Sequence, residues 1–354
     1  MKKRVFVAMS GGVDSSVAAA LLQKKGFDVV GVTMCFNVSE SQSRKPSCCG
    51  LSGIEDARRV AHLLGIKHYV LNLQKVFQKE VIDDFFVQYL SGLTPNPCIR
   101  CNQLIKFGSL FKKARVLGAD FLATGHYAKV TKGKNGYLLK KAKDLRKDQS
   151  YFLYRLGQEE LKHTLLPLGN YYKEDIRLLA KKLKLPVADK PDSQEICFLP
   201  DNNYRSFLKS SCNKLLKPGA IVDGQGNILG RHAGTAFYTI GQRQGLGIAM
   251  GHPLYVTKIR QKENLVVVGS REEAYSKNCL LGSLHFITQP FKKKVEIKIR
   301  IRYNHKEAKA DVYPDQGKLR IIFRKPQFAI TPGQSAVFYL KNTVVGGGII
   351  ERIS

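Results

Sequence analysis

The chain has 354 residues, 44% of them hydrophobic and 24% charged, enough for two or three domains with cores of their own. Its 58 Lys and Arg against 28 Asp and Glu give a net charge of +30, more than solubility needs, which points to a polyanionic partner: nucleic acid first, an anionic membrane surface second. No apolar run approaches the roughly 18 residues of a spanning helix, and the eight cysteines argue against a secreted disulfide scaffold in a chain of this size.

Met1-Lys2-Lys3-Arg4 runs straight into a strand rather than a signal core, so a cytoplasmic protein is expected. Arg4 to Met9 reads as that strand, and Ser15 to Lys25 as a helix stopped by Gly26. Between them lies Ser10-Gly11-Gly12-Val13-Asp14-Ser15-Ser16. Paired glycines let the main chain approach an anion, and Ser10, Ser15 and Ser16 add hydroxyls beside the open N–H groups of a helix start. A Walker loop would carry a lysine after its last glycine, where Val13-Asp14 stands. A loop without it suits a pyrophosphate that is going to leave.

Val29 to Met34 reads as the second strand, whose end would place Met34 against an adenine, and 37–53 as a mobile polar loop containing Cys48-Cys49. Helices follow at Ile54 to Leu64, Lys79 to Leu90, Phe107 to Leu117 and Lys173 to Leu183, and strands at His68 to Leu73 and Phe121 to Thr124. Strands alternating with helices predict a doubly wound parallel sheet.

Thr94-Pro95-Asn96-Pro97 must be extended and delivers Cys98-Ile99-Arg100-Cys101-Asn102 to the head of an amphipathic helix, where Arg100 and the helix start favour a reactive thiolate. Half of a structural zinc site is the other reading of this CxxC, weakened because no second zinc-spaced pair exists. Thr124-Gly125-His126-Tyr127 follows a strand, so Gly125 would allow close approach of a nucleotide, while a hydrogen-bonded structural role is the commoner fate of a histidine such as His126. From Lys129 to Lys147 eight Lys or Arg and one acid form a small β-ribbon leading to Lys147-Asp148-Gln149-Ser150-Tyr151-Phe152, donors interleaved with aromatics as RNA contacts require. Cys197 emerges from the proline-rich loop 185–198; Cys35, Cys212 and Cys279 read as small apolar residues.

Past about Arg205, glycine turns and short strands at Leu254 to Ile259 and Leu265 to Val268 mark a small β-rich module. From about Asn278, runs of period 2 at 295–302, 317–323 and 335–340 predict an antiparallel barrel. Twelve Lys or Arg against four acids between Phe291 and Lys325 make one face of it a candidate RNA surface. The expected domains are 1–204, 205–276 and 277–354.

The SGGxDS string resembles the signature of PP-loop ATP pyrophosphatases. With Cys48-Cys49, Thr94 to Pro97, Cys101-Asn102, Lys106-Phe107, Ala123 to Tyr127, Lys147 to Tyr151, Asp192 to Phe198, Gly241-Gln242-Arg243, Gly245-Leu246-Gly247 and Thr331 to Gln334, essentially the whole chain is similar to the bacterial tRNA-specific 2-thiouridylases. The resemblance implies ATP with Mg2+ as co-substrate at Ala8, Met9, Ser10, Gly11, Gly12, Val13, Asp14, Ser15, Met34 and Gly125. It implies a persulfide on Cys197, filled by a protein sulfur donor, with Cys101 as partner thiol. It implies tRNA contacts at Asn96, Pro97, Cys98, His126, Lys147, Asp148, Gln149, Arg302, Tyr303 and Gln334, in a monomer that replaces the C2 oxygen of the wobble uridine in tRNAs for Lys, Glu and Gln. Cys98 stands where many members have an acid. Cys98, Cys101 and Cys197 holding a [4Fe–4S] cluster is therefore the alternative route to the same product. An amide-forming PP-loop ligase and a non-catalytic RNA-binding protein are the rivals from other classes; the first needs neither cysteine pair nor charge, the second no intact loop.

Overall fold

The computed structural model describes residues 2–36, 51–192, 196–199 and 203–353. It divides into two compact units, one of residues 1–81, 97–203 and 342–345, the other of 82–96, 204–341 and 346–354.

The first unit is built on the strands β1 (Arg4–Ala8), β2 (Asp28–Cys35), β3 (Lys67–Asn72) and β4 (Phe121–Ala123), the hairpin β5 (Ala128–Gly133) and β6 (Gly136–Lys141), and the short β7 (Thr164–Leu165). The main sheet has the order β3-β2-β1-β4-β7 and is parallel throughout, with Arg4 opposite Asp28 and Val5 opposite Phe121. Four of the five β1 residues are buried, as a strand covered on both faces requires. Strand order reverses beside β1, so the carboxyl ends of β1 and β4 flank a topological switch point, where open α/β sheets bind ligands.

Helix α1 (Val13–Lys24) lies close on the sheet because Ala18 and Ala19, fully buried, offer no bulk. Helix α2 is Leu51–Leu63, and α3 is Lys173–Lys182; Ile176 and Ala180 of α3 share a core with Val17 and Leu22 of α1. Residues 51–53 thus belong to a helix and not to the expected loop, while Cys48-Cys49 and the rest of that loop lie outside the described residues. The helix expected from Phe107 begins ten residues earlier, at Pro97. Proline is favoured at a first helical position, and Cys101–Leu110 is wound as a π-helix that joins this start to the segment expected from Phe107.

The second unit holds a four-stranded sheet, β8 (Gly219–Val222), β9 (Ile228–His232), β10 (Tyr255–Arg260) and β11 (Leu265–Gly269), in the order β10-β11-β8-β9. Its barrel consists of β12 (Tyr275–Phe286), β13 (Val295–Arg300), β14 (Ala308–Asp315), β15 (Lys318–Phe328), β16 (Ser335–Leu340) and β17 (Thr343–Ile353). The order β12-β15-β14-β13-β16-β17 closes through the pairing of β17 with β12. In β13 Ile297 and Ile299 point inward and Glu296 and Lys298 outward, the alternation that the sequence shows.

Candidate active site

The turn after β1 is shaped for close approach. Gly11 has φ +71°, in the left-handed region, and a Cβ there would lie 2.3 Å from the Gly53 carbonyl oxygen of α2. A Cβ on Gly125, just past β4, would lie 2.7 Å from the Ser15 nitrogen, so the two strand ends pack directly on the start of α1. Gly12 is the N-cap, and among the described residues no side chain caps the helix. The N–H groups of its first turn are therefore left for a ligand, which is the fit a phosphate requires. Ser15 and Ser16 donate their hydroxyls to the Gly12 carbonyl at 3.2 and 2.8 Å, which shapes the turn. Ala8, Met9 and Val13 are buried and can meet a nucleotide only through their backbone; Met34 is half-buried at the end of β2.

Asp14 is pinned. The Lys173 ammonium donates to both its oxygens at 2.7 and 2.8 Å, and the Tyr127 hydroxyl donates to Oδ1 at 2.8 Å. Burial and the Asp14 carboxylate push the Tyr127 phenol far above its usual range, which keeps it a donor. Lys173 also reaches Asp192 at 2.8 Å, and Lys147 and Arg177 reach the same carboxylate at 2.9 and 2.7 Å. Burial pushes the Asp192 carboxyl up, but the bonds from Lys173 and Lys147 outweigh it and hold the group at about 2. A depressed carboxylate stabilises the fold fully above its unfolded range near pH 4, and that contribution disappears as pH falls toward 2. The Asp192 contribution should be at most about 2 kcal/mol. Urea unfolding of the wild type and Asp192→Asn should show a stability gap at pH 7 that closes below pH 3; a pH-independent gap would rule out the titration.

The other expected side chains have clear surroundings. The His126 ring nitrogens lie 2.7 Å from the Thr124 hydroxyl and 3.5 Å from Lys106; burial and that lysine hold the imidazole well below its usual range, hence neutral. Asp148 is 2% exposed and accepts bonds from the Ala142 and Ser150 nitrogens, so its carboxylate organises the turn. Gln149 accepts from the Tyr127 nitrogen at 2.9 Å. Cys98 is half-buried and Cys101 buried, and Cys197 is half-buried next to Phe198, whose ring meets Phe77 edge-on at 5.8 Å. Among the described residues no group of three His, Cys, Asp or Glu is gathered to hold a metal ion.

In the second unit the Gln334 carboxamide donates to the Thr94 and Pro95 carbonyls at 2.9 and 3.1 Å, and Gly333, at φ +91°, lies against Thr94. This holds the extended segment that ends in Asn96. Arg302 donates to the Ile240 carbonyl at 2.9 Å and to the Thr331 hydroxyl, and Tyr303 beside it is half-buried.

Sequence reasoning missed Lys173 and Tyr127, which fix Asp14, Arg177, which reaches Asp192, and Lys190, whose ammonium donates to the Gly11 carbonyl. Lys173 heads a helix whose amphipathic period was legible, but nothing local shows that its ammonium meets Asp14, 159 residues away.

The fold and the glycine turn define a HUP-type α/β domain followed by two β modules. Residues 3–201 match the family model described as tRNA methyl transferase HUP domain, 205–270 the tRNA methyl transferase PRC-barrel domain, and 276–350 the aminomethyltransferase beta-barrel domain. The tRNA-specific 2-thiouridylase MnmA of Halothermothrix orenii is 52% identical over 99% of both chains; that of Acetivibrio thermocellus is 51% identical over 99% of both. The Clostridium acetobutylicum protein of the same name is 49% identical over 99% of this chain and all of its own. The chain belongs to the tRNA-specific 2-thiouridylase family of tRNA sulfurtransferases. Among solved structures, a 4-thiouridine synthetase–RNA complex with bound ATP is similar over 60% of this chain, at 18% identity and a TM-score of 0.35, too distant a likeness to bear on function.

Proposed function

We propose that this chain thiolates the C2 position of the wobble uridine in tRNAs for Lys, Glu and Gln, using ATP with Mg2+ and sulfur from a protein persulfide donor, as a cytoplasmic monomer of three domains. The observation that carries the reading is the open first turn of α1 at the switch point, with Asp14 fixed beside it by Lys173 and Tyr127. Such a turn binds the triphosphate through backbone N–H groups, and the site supplies the cations that a phosphate-free Asp14 needs.

A uracil C2 carbonyl is a poor electrophile with a poor leaving group. Attack of its oxygen on the α-phosphorus forms an O–P bond and expels pyrophosphate, turning that oxygen into part of AMP. The terminal sulfur of a Cys197 persulfide then attacks C2, and AMP leaves with the original oxygen. The Cys101 thiolate attacks Sγ of Cys197; the S–S bond to the base breaks, its electron pair stays on the base sulfur, and a Cys101–Cys197 disulfide remains for an external thiol to reduce. Asn96, Pro97 and Cys98 meet the base, and the basic surfaces hold the tRNA. Nucleoside analysis of bulk tRNA, incubated with enzyme, ATP and a persulfide donor, tests the reading: 2-thiouridine formation with tRNA-dependent release of AMP and pyrophosphate is expected. Release that needs only a small amine would replace it with the ligase reading.

Charge makes its own prediction. Lys and Arg contacts to phosphates release counterions, so tRNA affinity should fall at least about tenfold between roughly 50 and 200 mM salt. Filter binding that is flat across this range would contradict a phosphate-reading surface.

A further inference from the structure

No lysine lies in the turn from Ala8 to Ser15, yet two reach it from distant positions. They differ in what they have left to offer. Lys173 has a side chain only 7% exposed, and its three N–H donors face three carboxylate oxygens, two of Asp14 and one of Asp192. Lys190 has a side chain 28% exposed and makes two bonds, to the Gly11 carbonyl at 3.2 Å and to Asp56 Oδ2 at 2.6 Å. One of its three donors has no partner among the described residues.

The backbone holds this ammonium in place. Arg177 donates to the Ala188 and Lys190 carbonyls at 3.4 and 3.2 Å, and the Lys190 nitrogen bonds the Val187 carbonyl at 3.0 Å. The cation thus sits on the rim of the turn, tied to the carbonyl of the glycine that shapes it and to the Asp56 carboxylate. We propose that Lys190 is a phosphate-binding residue of the nucleotide site: it meets the β,γ end of ATP and retains the pyrophosphate after it separates from AMP. A flexible stem with a point charge suits a group that changes from bound ester to free dianion or trianion. This inference rests on the nucleotide reading above.

Calorimetric titration without tRNA, using inorganic pyrophosphate, ATP and AMP as separate probes with Mg2+ present, tests it. Lys190→Ala should weaken pyrophosphate and ATP binding about tenfold or more and leave AMP binding within about twofold. Lys190→Arg should recover most of the loss. Asp56→Asn, which breaks the same tether but keeps the cation, should leave pyrophosphate affinity intact. If Asp56→Asn reproduces the loss, or if AMP binding falls equally, Lys190 merely braces the turn and the proposal is overturned. Unchanged pyrophosphate binding in Lys190→Ala overturns it as well. Should wild-type protein bind neither ATP nor pyrophosphate, the nucleotide reading fails and this proposal falls with it.

Discussion

Cys197→Ser should yield no detectable 2-thiouridine while tRNA-dependent AMP and pyrophosphate release continues. In the proposed reaction adenylation falls to the α1 turn, where Lys173 and Tyr127 fix Asp14, and sulfur enters only in the step that follows. A serine oxygen cannot carry a persulfide, so the loss should be complete rather than graded. Cys101→Ser should also stop product formation, but intact-mass measurement should then find one extra sulfur atom on the protein after incubation with the donor, since the thiol that resolves the adduct is missing. Cys98→Ala should keep partial activity. Iron, colour and activity vanishing together in that variant would favour a cluster instead, and thiolation by the Cys197 variant would overturn the persulfide assignment.

Lys173→Met should abolish AMP formation and destabilise the first unit. Asp192 would keep Lys147 and Arg177, but among the described residues Asp14 would retain only the Tyr127 hydroxyl. Breaking a fully buried pair costs about 3–5 kcal/mol, and because the Asp14 side chain is 32% exposed the expected loss is nearer about 2 kcal/mol. Adding Asp14→Asn to that variant removes the stranded charge and should restore part of the stability without restoring activity. Full stability in the single variant would mean that solvent satisfies Asp14, and retained AMP formation would remove Lys173 from the chemistry.

The parts of this molecule that repeat a short period were legible before any coordinates. The alternation of β13, the apolar run of β1 and the glycine turn at Gly11-Gly12 announce barrel, parallel sheet and anion site from neighbours in sequence alone. What escaped notice depends on long-range meetings: Lys190 with Gly11 and Tyr127 with Asp14. The π-helix from Cys101 to Leu110 joins the expected helix head at Cys98 to Asn102 to the run at Phe107, which in sequence reads as a separate start. Nor does the sequence show that Asp148, an acid among lysines and aromatics, accepts from the Ala142 and Ser150 nitrogens.

The chain also crosses between its two units more than once. Residues 342–345 belong to the first unit, where Thr343 and Val344 pair with Lys140 and Leu139 of β6. On the ribosome, where N-terminal regions ordinarily fold first, the β5–β6 hairpin must therefore wait with an open edge until Thr343 and Val344, about 200 residues downstream, have been added. An unpaired edge of that kind invites association with other nascent chains. A shortened gene ending before residue 342 would leave the edge open permanently, so the nucleotide-binding portion is not a separable cassette even though its sheet and its turn are encoded far upstream.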